Sequence, residues 1–535
     1  MKKLTGQRLE LLIFTLITLF NLYPFIALRF FPTLDGASHM SNASIINQIV
    51  IFHNDIIRQF FMINPEPVPN WTTHLILSVT GLILPAFLAE KVLLIVLLAG
   101  IPFAFRNLVR TIAPHNYFYA YLIFPFTHSM FFYFGFYNFC IGILFLFITL
   151  TFYLRHAGQL NRPWNLFRLG VLILMTWFSH VLVFGVLLIL ISAYIVTLFI
   201  NDLLVKKTSL KKAISAISEK IVQLVFASAI PLLMFFYFFL SRKQTSEISY
   251  LPFNTLTDNL LLLKPLIVFN GIEEGFLTHR FVQLIALLFI IAGITWIIRL
   301  AKKNTTAPAT DQTASQGIYA AWLLLSIIAL LGLYFTLPDA LGNASYTTYR
   351  LGFVVFILAI AWIAVSHVHL TTGLVAAILV MYINFTLISM KEPKVKELEQ
   401  IAIACNKAAD FVEPNSVVLP IYCMDNWFIG HFVDYIAIDK PMVMLYNYEC
   451  ETGFFPVLNN LRDKPNYYLG NPGLHKYLIR FEKVKGRTFR KIDYVFIVGG
   501  CSPENTDNWG KIDLILNSEF RVAYKSDFCT LYGKR

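Results

Sequence analysis

Leu75-Ile76-Leu77-Ser78-Val79-Thr80-Gly81-Leu82-Ile83-Leu84 is the stretch on which the fold turns. It is apolar but only ten residues long, and a transmembrane helix needs about 20. Whether it crosses decides the side on which every later loop lies. If it does not cross, Arg106 and Arg110 are cytoplasmic. So are Arg155, Arg162 and Arg168, then Lys206, Lys207, Lys211 and Lys212, then Arg299, Lys302 and Lys303. Every basic loop then falls inside, as the positive-inside rule asks. If it does cross, the loops up to Arg168 face outward. The stretch therefore reads as a half-helix inside a long first outer loop, 32–85, tolerated at that depth where it lines a protein cavity.

Outward from this point the chain is built of apolar blocks. Of 535 residues, 57% are hydrophobic, 14% are charged and 50 are Phe; soluble domains carry about 25% charged residues. Blocks long enough to span lie at 9–31, 86–105, 117–134, 139–154, 166–178, 181–200, 221–240, 281–300, 318–337, 351–368 and 374–390. The run 166–200 is long for one tilted helix and is divided at Ser179-His180. Met1-Lys2-Lys3 precedes a first block too long for a signal-peptide core and lacking a small-residue cleavage site, so it is a retained span. The expected fold is a polytopic α-helical membrane protein of about eleven spans in a cytoplasmic (inner) membrane. Its N-terminus is cytoplasmic, and a C-terminal extracytoplasmic α/β domain follows. The domains are 1–390, a transmembrane module, and 391–535, a soluble unit. The net charge of +12 sits largely in short loops, where it orients the chain against anionic lipid; no nucleic-acid module is present. The linker 302–316 reads as a flexible cytoplasmic loop, and no internal repeat appears.

Five of the six cysteines follow residue 400: Cys405, Cys423, Cys450, Cys501 and Cys529. Such a segment suits an oxidising compartment, with at least one thiol lacking a partner there. Residues 395–411 have helical spacing, with Val395, Leu398, Ile401, Ala402 and Cys405 on one face. Residues 416–422 and 494–498 suit buried strands, and Gly499-Gly500 ends the second. Residues 521–524 and 529–532 resemble a closing hairpin. Neither a nucleophile elbow nor a metal signature appears in this tail, which reads as a lid or acceptor-recognition domain.

The topology gathers unusual polar residues on the outer face: Asp35, His39, His74, Glu90, Lys91, Asn138, His180, Glu273, Glu274, His279, Arg280 and Arg350. Ionisable groups near hydrocarbon tend to be functional or paired. Asp35 and His39, spaced i, i+4, share a helix face. A carboxylate in a semi-apolar cavity removes a proton from an acceptor; the simpler reading is that Asp35 caps the helix starting near Ala37. His39 and His74 orient an acceptor or contact a phosphate, or else lie on a surface. His180 either reaches a polar cavity or caps a helix. Arg350 grips a phosphate or anchors its span among headgroups, with Lys264 and Arg280 as further phosphate candidates and Glu273-Glu274 as solvated loop charges. Asp35 has no second carboxylate at ligand spacing, so no required metal and no required cofactor are expected. Asn-x-Ser/Thr triplets at Asn42, Asn70, Asn304, Asn343 and Asn384 are weak patterns and carry no weight.

Leu34-Asp35-Gly36-Ala37-Ser38-His39, Pro69-Asn70-Trp71-Thr72-Thr73-His74 and residues 125–139 together resemble the GT-C superfamily of membrane glycosyltransferases. The resemblance covers the layout to about residue 390 and implies a hexosyl- or pentosyltransferase. It implies a polyprenyl-phosphate sugar donor and a glycan, lipid or protein acceptor. Transfer is inverting, with Asp35 as base and basic residues stabilising the leaving phosphate. Phe136-Tyr137-Asn138-Phe139 departs from the acidic pair of the oligosaccharyltransferase branch, which counts against metal dependence. The competing readings are a transporter or flippase of lipid-linked glycans, a glycan polymerase or ligase, and an inactive scaffold. A transporter would place polar residues at mid-membrane and often shows repeats; a polymerase or ligase should not depend on Asp35.

Overall fold

The computed structural model describes residues 2–241, 248–303, 311–341, 345–366, 370–423, 426–460, 492–502 and 509–535. Among them, nine helices are long and apolar enough to cross a membrane: Gly6–Ala27, Ala86–Ile112, Tyr137–His156, Val181–Leu204, Leu210–Leu240, Glu273–Ile298, Ser315–Thr336, Thr347–Val365 and Thr371–Phe411. The chain is a multi-pass helical protein with a C-terminal sheet region. The expected break at Ser179-His180 is present: one helix is Pro163–Ser179 and the next is Val181–Leu204.

The block at 117–134 is not one helix. It is a 3₁₀ stretch, Tyr117–Ile123, followed by the short helices Phe124–Thr127 and Met130–Tyr133. Residues 119–132 are buried throughout, so this broken backbone is enclosed by protein. The first block also ends early, its helix closing at Ala27. Of the linker 302–316, residues 304–310 lie outside the described residues, as do the triplets' Asn304 and Asn343.

By its contacts the chain divides into two compact units. The first comprises Met1–Leu22, Ile95–Phe132 and Tyr137–Lys391. Its most enclosed helices are Tyr137–His156 and Thr347–Val365, each with 83% of its apolar window buried, against 28% for Leu210–Leu240 and Glu273–Ile298. The former pair therefore forms the unit's core, and the latter pair keeps an apolar outer surface suited to lipid. Two buried charges inside the unit meet an opposite charge, Arg106 with Glu10 and Lys391 with Glu274. Arg106 lies within its helix rather than in a loop; its Nε is 3.0 Å from Glu10 Oε1 and its guanidinium lies over Phe14. Glu274 corrects the expectation of a solvated charge. It is buried and accepts the backbone N–H groups of Val268, Phe269 and Asn270 at 2.7, 2.9 and 2.9 Å. Lys391 Nζ stands 3.6 Å from it and donates to the carbonyls of His128 and Leu266. Glu273 is exposed.

The second unit comprises Tyr23–Leu94, Tyr133–Phe136 and Glu392–Arg535. Its five-stranded sheet runs in the order Val443–Met444, Val417–Cys423, Tyr494–Gly499, Cys529–Lys534, Phe520–Lys525. The first three strands are parallel, and the last two add antiparallel. Every residue of Val417–Cys423 is buried, as a strand covered on both faces requires. Gly499 closes its strand at φ +93°, where a side chain would be strained. Val395, Leu398, Ile401, Ala402 and Cys405 form one buried stripe, as their spacing predicts. A second pairing joins Phe61–Ile63 antiparallel to Val457–Asn459. Cys423 and Cys501 form a disulfide, while Cys405, Cys450 and Cys529 are buried thiols.

Candidate functional site

The site in the second unit starts from a short piece of pairing. Leu34 and Asp35 donate their backbone N–H groups to the carbonyls of Tyr133 and Phe134, each at 3.2 Å. Gly135 follows at φ +76°, so close to Asp35 that only a glycine leaves room. The chain then enters the helix Gly36–Val50, with Asp35 at its N-cap position.

Asp35 does not cap that helix with its side chain. Thr33 Oγ1 accepts the N–H of Gly36 at 3.1 Å instead, which leaves the Asp35 carboxyl aimed elsewhere. It is buried, with the Tyr448 hydroxyl facing it and His431 Nε2 at 3.6 Å. Tyr448 and His431 stack at 4.1 Å between ring centroids. Burial pushes the Asp35 carboxyl up to about 7; His39 and Tyr448 oppose the rise and Glu449 adds to it. Burial likewise pulls His431 down to about 4 and lifts Asp434 to about 8.

One helical turn on, the backbone N–H of His39 reaches the Asp35 carbonyl at 3.0 Å. The His39 ring uses both nitrogens. Nε2 lies 2.9 Å from the Gly135 carbonyl and Nδ1 lies 2.8 Å from Glu449 Oε1. His74 belongs to the helix Thr72–Gly81, which realises the short apolar stretch of the first loop three residues earlier than its apolar run. Its Nδ1 lies 3.1 Å from the Asn70 carbonyl and its Nε2 lies 2.7 Å from Glu449 Oε2. Glu449 is thus gripped by two histidines, one per carboxylate oxygen. Burial would lift its carboxyl, but the imidazoles hold it well below the usual carboxylate range. Burial alone would lower His39; the Glu449 carboxylate outweighs it and raises the ring to about 9.

A reciprocal amide pair holds Glu449 in place. Asn42 Nδ2 donates to Asn447 Oδ1 at 3.2 Å, and Asn447 Nδ2 returns a bond to Asn42 Oδ1 at 2.8 Å. Asn447 in turn caps the short helix Tyr448–Thr452 through the N–H of Cys450. Sequence reasoning missed Tyr448, Glu449, His431 and Asp434. The available signal was local: acids buried in apolar, aromatic segments, with an Asn placed to cap one of them.

Of the remaining expected residues, Asn138, His180, Arg280 and Arg350 belong to the first unit. His180 is a cap: its Nδ1 accepts the N–H of Leu182 at 3.2 Å, and its ring meets Phe139 edge-on at 5.4 Å. The buried Arg350 guanidinium lies over Phe139 and Phe131 at 5.6 and 5.7 Å and donates to the Ser345 carbonyl. Phe139 therefore brings Arg350 and His180 together, beside Asn138, which is buried. Phe139, Cys140 and Phe353 also line a small apolar crevice with Leu97 and Ile101. Arg280 is exposed and holds Gln283 at 2.9 Å. No protein-family model matches the chain, and neither does any curated protein.

Proposed function

We propose that the protein is an integral-membrane glycosyltransferase in which Asp35 is the base. The observation that supports this reading most is the Asp35 carboxyl itself. It occupies a helix N-cap position without capping, because Thr33 does that work, and it is buried beside Tyr448 and His431. A carboxyl lifted to about 7 is matched to taking a proton near neutral pH. The reaction class follows from the resemblance to GT-C enzymes. The acceptor's hydroxyl or amine oxygen or nitrogen bonds to the anomeric carbon of a polyprenyl-phosphate sugar. The bond from that carbon to the phosphate oxygen breaks with inversion, polyprenyl phosphate departs with its electron pair, and the acceptor proton passes to Asp35.

The topology belongs to the same proposal: eleven crossings, a cytoplasmic N-terminus and residues beyond 391 outside an inner membrane. The nine long helices, the 17-residue helix Pro163–Ser179 and the broken segment at 117–133 account for the crossings. The broken segment must cross because Arg110 and Arg155 end the helices on either side of it and both belong inside. Irregular backbone is tolerated there because it is enclosed by protein.

The test is transfer from a labelled polyprenyl-phosphate sugar by purified protein, comparing wild type with Asp35→Asn. Loss of the base should lower turnover by about 10²–10⁴-fold. Equal turnover would reject Asp35 as the base.

A further inference from the structure

We infer that His39, His74 and Glu449 form a three-ligand site for a divalent transition-metal ion of the zinc class. Hydrogen-bond direction carries the inference. A backbone carbonyl only accepts, so the nitrogens facing Gly135 and Asn70 must bear the ring protons. In a neutral imidazole the other nitrogen is then a lone pair. Those lone pairs, on His39 Nδ1 and His74 Nε2, both point at Glu449, at 2.8 and 2.7 Å. Two lone pairs and a carboxylate converging in one buried place require positive charge between them.

Two arrangements supply it. Without a metal, a second proton on each ring supplies it, the state in which Glu449 raises His39; this buries two imidazolium ions with ring centroids 5.0 Å apart around a single carboxylate, and like charges confined away from water are costly. One divalent cation satisfies all three acceptors together. The three ligand atoms lie within 4.8 Å of one another, and tetrahedral ligands about 2.0–2.1 Å from zinc sit roughly 3.3 Å apart. The His–Glu contacts therefore need to open by only about half an ångström to admit the ion. Imidazole suits zinc, copper, iron and nickel, whereas magnesium and calcium favour oxygen ligands.

The surrounding shell has the form of a metal site. Each histidine donates its far N–H to a backbone carbonyl, the arrangement that fixes tautomer and ring orientation in metal-ligating histidines. The ligands come from three separate segments: the helix Gly36–Val50, the helix Thr72–Gly81, and the turn capped by Asn447. Two histidines and one glutamate leave a coordination position open, as in catalytic rather than structural zinc sites. The inference goes beyond the expectation that no metal is required and does not depend on sugar transfer.

The test uses full-length protein purified without a histidine tag or chelator, equilibrated with zinc sulfate and freed of excess. Elemental analysis should find one zinc per chain in wild type and in Asp434→Asn, and a loss of at least about tenfold in Glu449→Gln and His74→Ala. X-ray absorption at the zinc edge of the wild type should show two imidazoles and light-atom ligands near 2.0–2.1 Å, without sulfur. Wild type free of zinc, zinc retained by the Glu449→Gln, His74→Ala double variant, or a spectrum showing thiolate would each overturn the inference. Because no sugar donor is present, a negative result leaves the transferase test standing, and an inactive Asp35→Asn leaves this one standing.

Discussion

Gly135→Ala tests the geometry on which Asp35 and His39 both depend. Gly135 has φ +76°, and a Cβ there would stand 3.0 Å from Asp35 Cβ, Asp35 N and Gly36 N. Two of these atoms are backbone, held by the pairing of Asp35 N–H with the Phe134 carbonyl and by the start of the helix Gly36–Val50, so they cannot swing aside. The left-handed conformation costs an alanine about 1–2 kcal/mol. Crowding a packed site costs about 1–3 kcal/mol more. The variant should therefore lose at least about 2 kcal/mol, which at about 2–4 °C per kcal/mol for a unit of this size lowers its unfolding midpoint by at least about 4 °C. Gly81→Ala is the control. Its nearest neighbour would be Asn47 Nδ2 at 3.9 Å, and its φ is not positive. Tryptophan-fluorescence melts of both variants in the same detergent make the comparison. Because the Gly135 carbonyl orients the His39 ring, Gly135→Ala should also weaken zinc retention. A midpoint within about 1 °C of Gly81→Ala would refute the argument.

Two further outcomes follow from the same unit. Asn42→Ala and Asn447→Ala each strand a buried amide and should each destabilise by about 1–3 kcal/mol. The double variant should fall short of their sum by more than about 0.5 kcal/mol; additive losses would show that the reciprocal bonds do not couple. Asp434 is raised by burial to about 8, above its value in the unfolded chain of about 3.9. Between those values the folded state holds the proton and the unfolded state does not, so this group's contribution to stability falls as pH rises, by about 1.4 kcal/mol per unit. Asp434→Asn should remove that slope. The difference between its melting midpoint and that of wild type should therefore widen from about pH 6 to about pH 8, and parallel profiles would refute the assignment.

Local patterns proved sufficient for most of the long helices and for four strands of the C-terminal sheet. The blocks at 86–105 and 181–200 each lie within a long helix, as do residues 351–365 of a third block, because a helix long enough to span shows in apolar composition. The buried stripe from Val395 to Cys405 was legible through its 3.6-residue period. The hairpin Phe520–Lys525 with Cys529–Lys534 was legible through alternation. Composition failed at 117–134, where a segment apolar enough for a helix is broken into three short pieces; hydropathy reports the surroundings of a segment, not its hydrogen-bond pattern.

By itself, then, the sequence determined a multi-pass helical chain, an α/β tail, and the shared helix face of Asp35 and His39. Thr33 rather than Asp35 caps that helix through a local contact that no pattern marked; the longer-range contacts were decided by tertiary structure alone. It alone buried Glu274 against the N–H groups of 268–270 and beside Lys391, and closed Glu449 between His39 and His74. The reason is the range of the forces involved. Periodicity and propensity act within a few turns, so they are written along the chain. A buried charge finds its partners wherever the folded backbone returns, and nothing near residue 39 or residue 74 states that the third member of the cluster lies at 449.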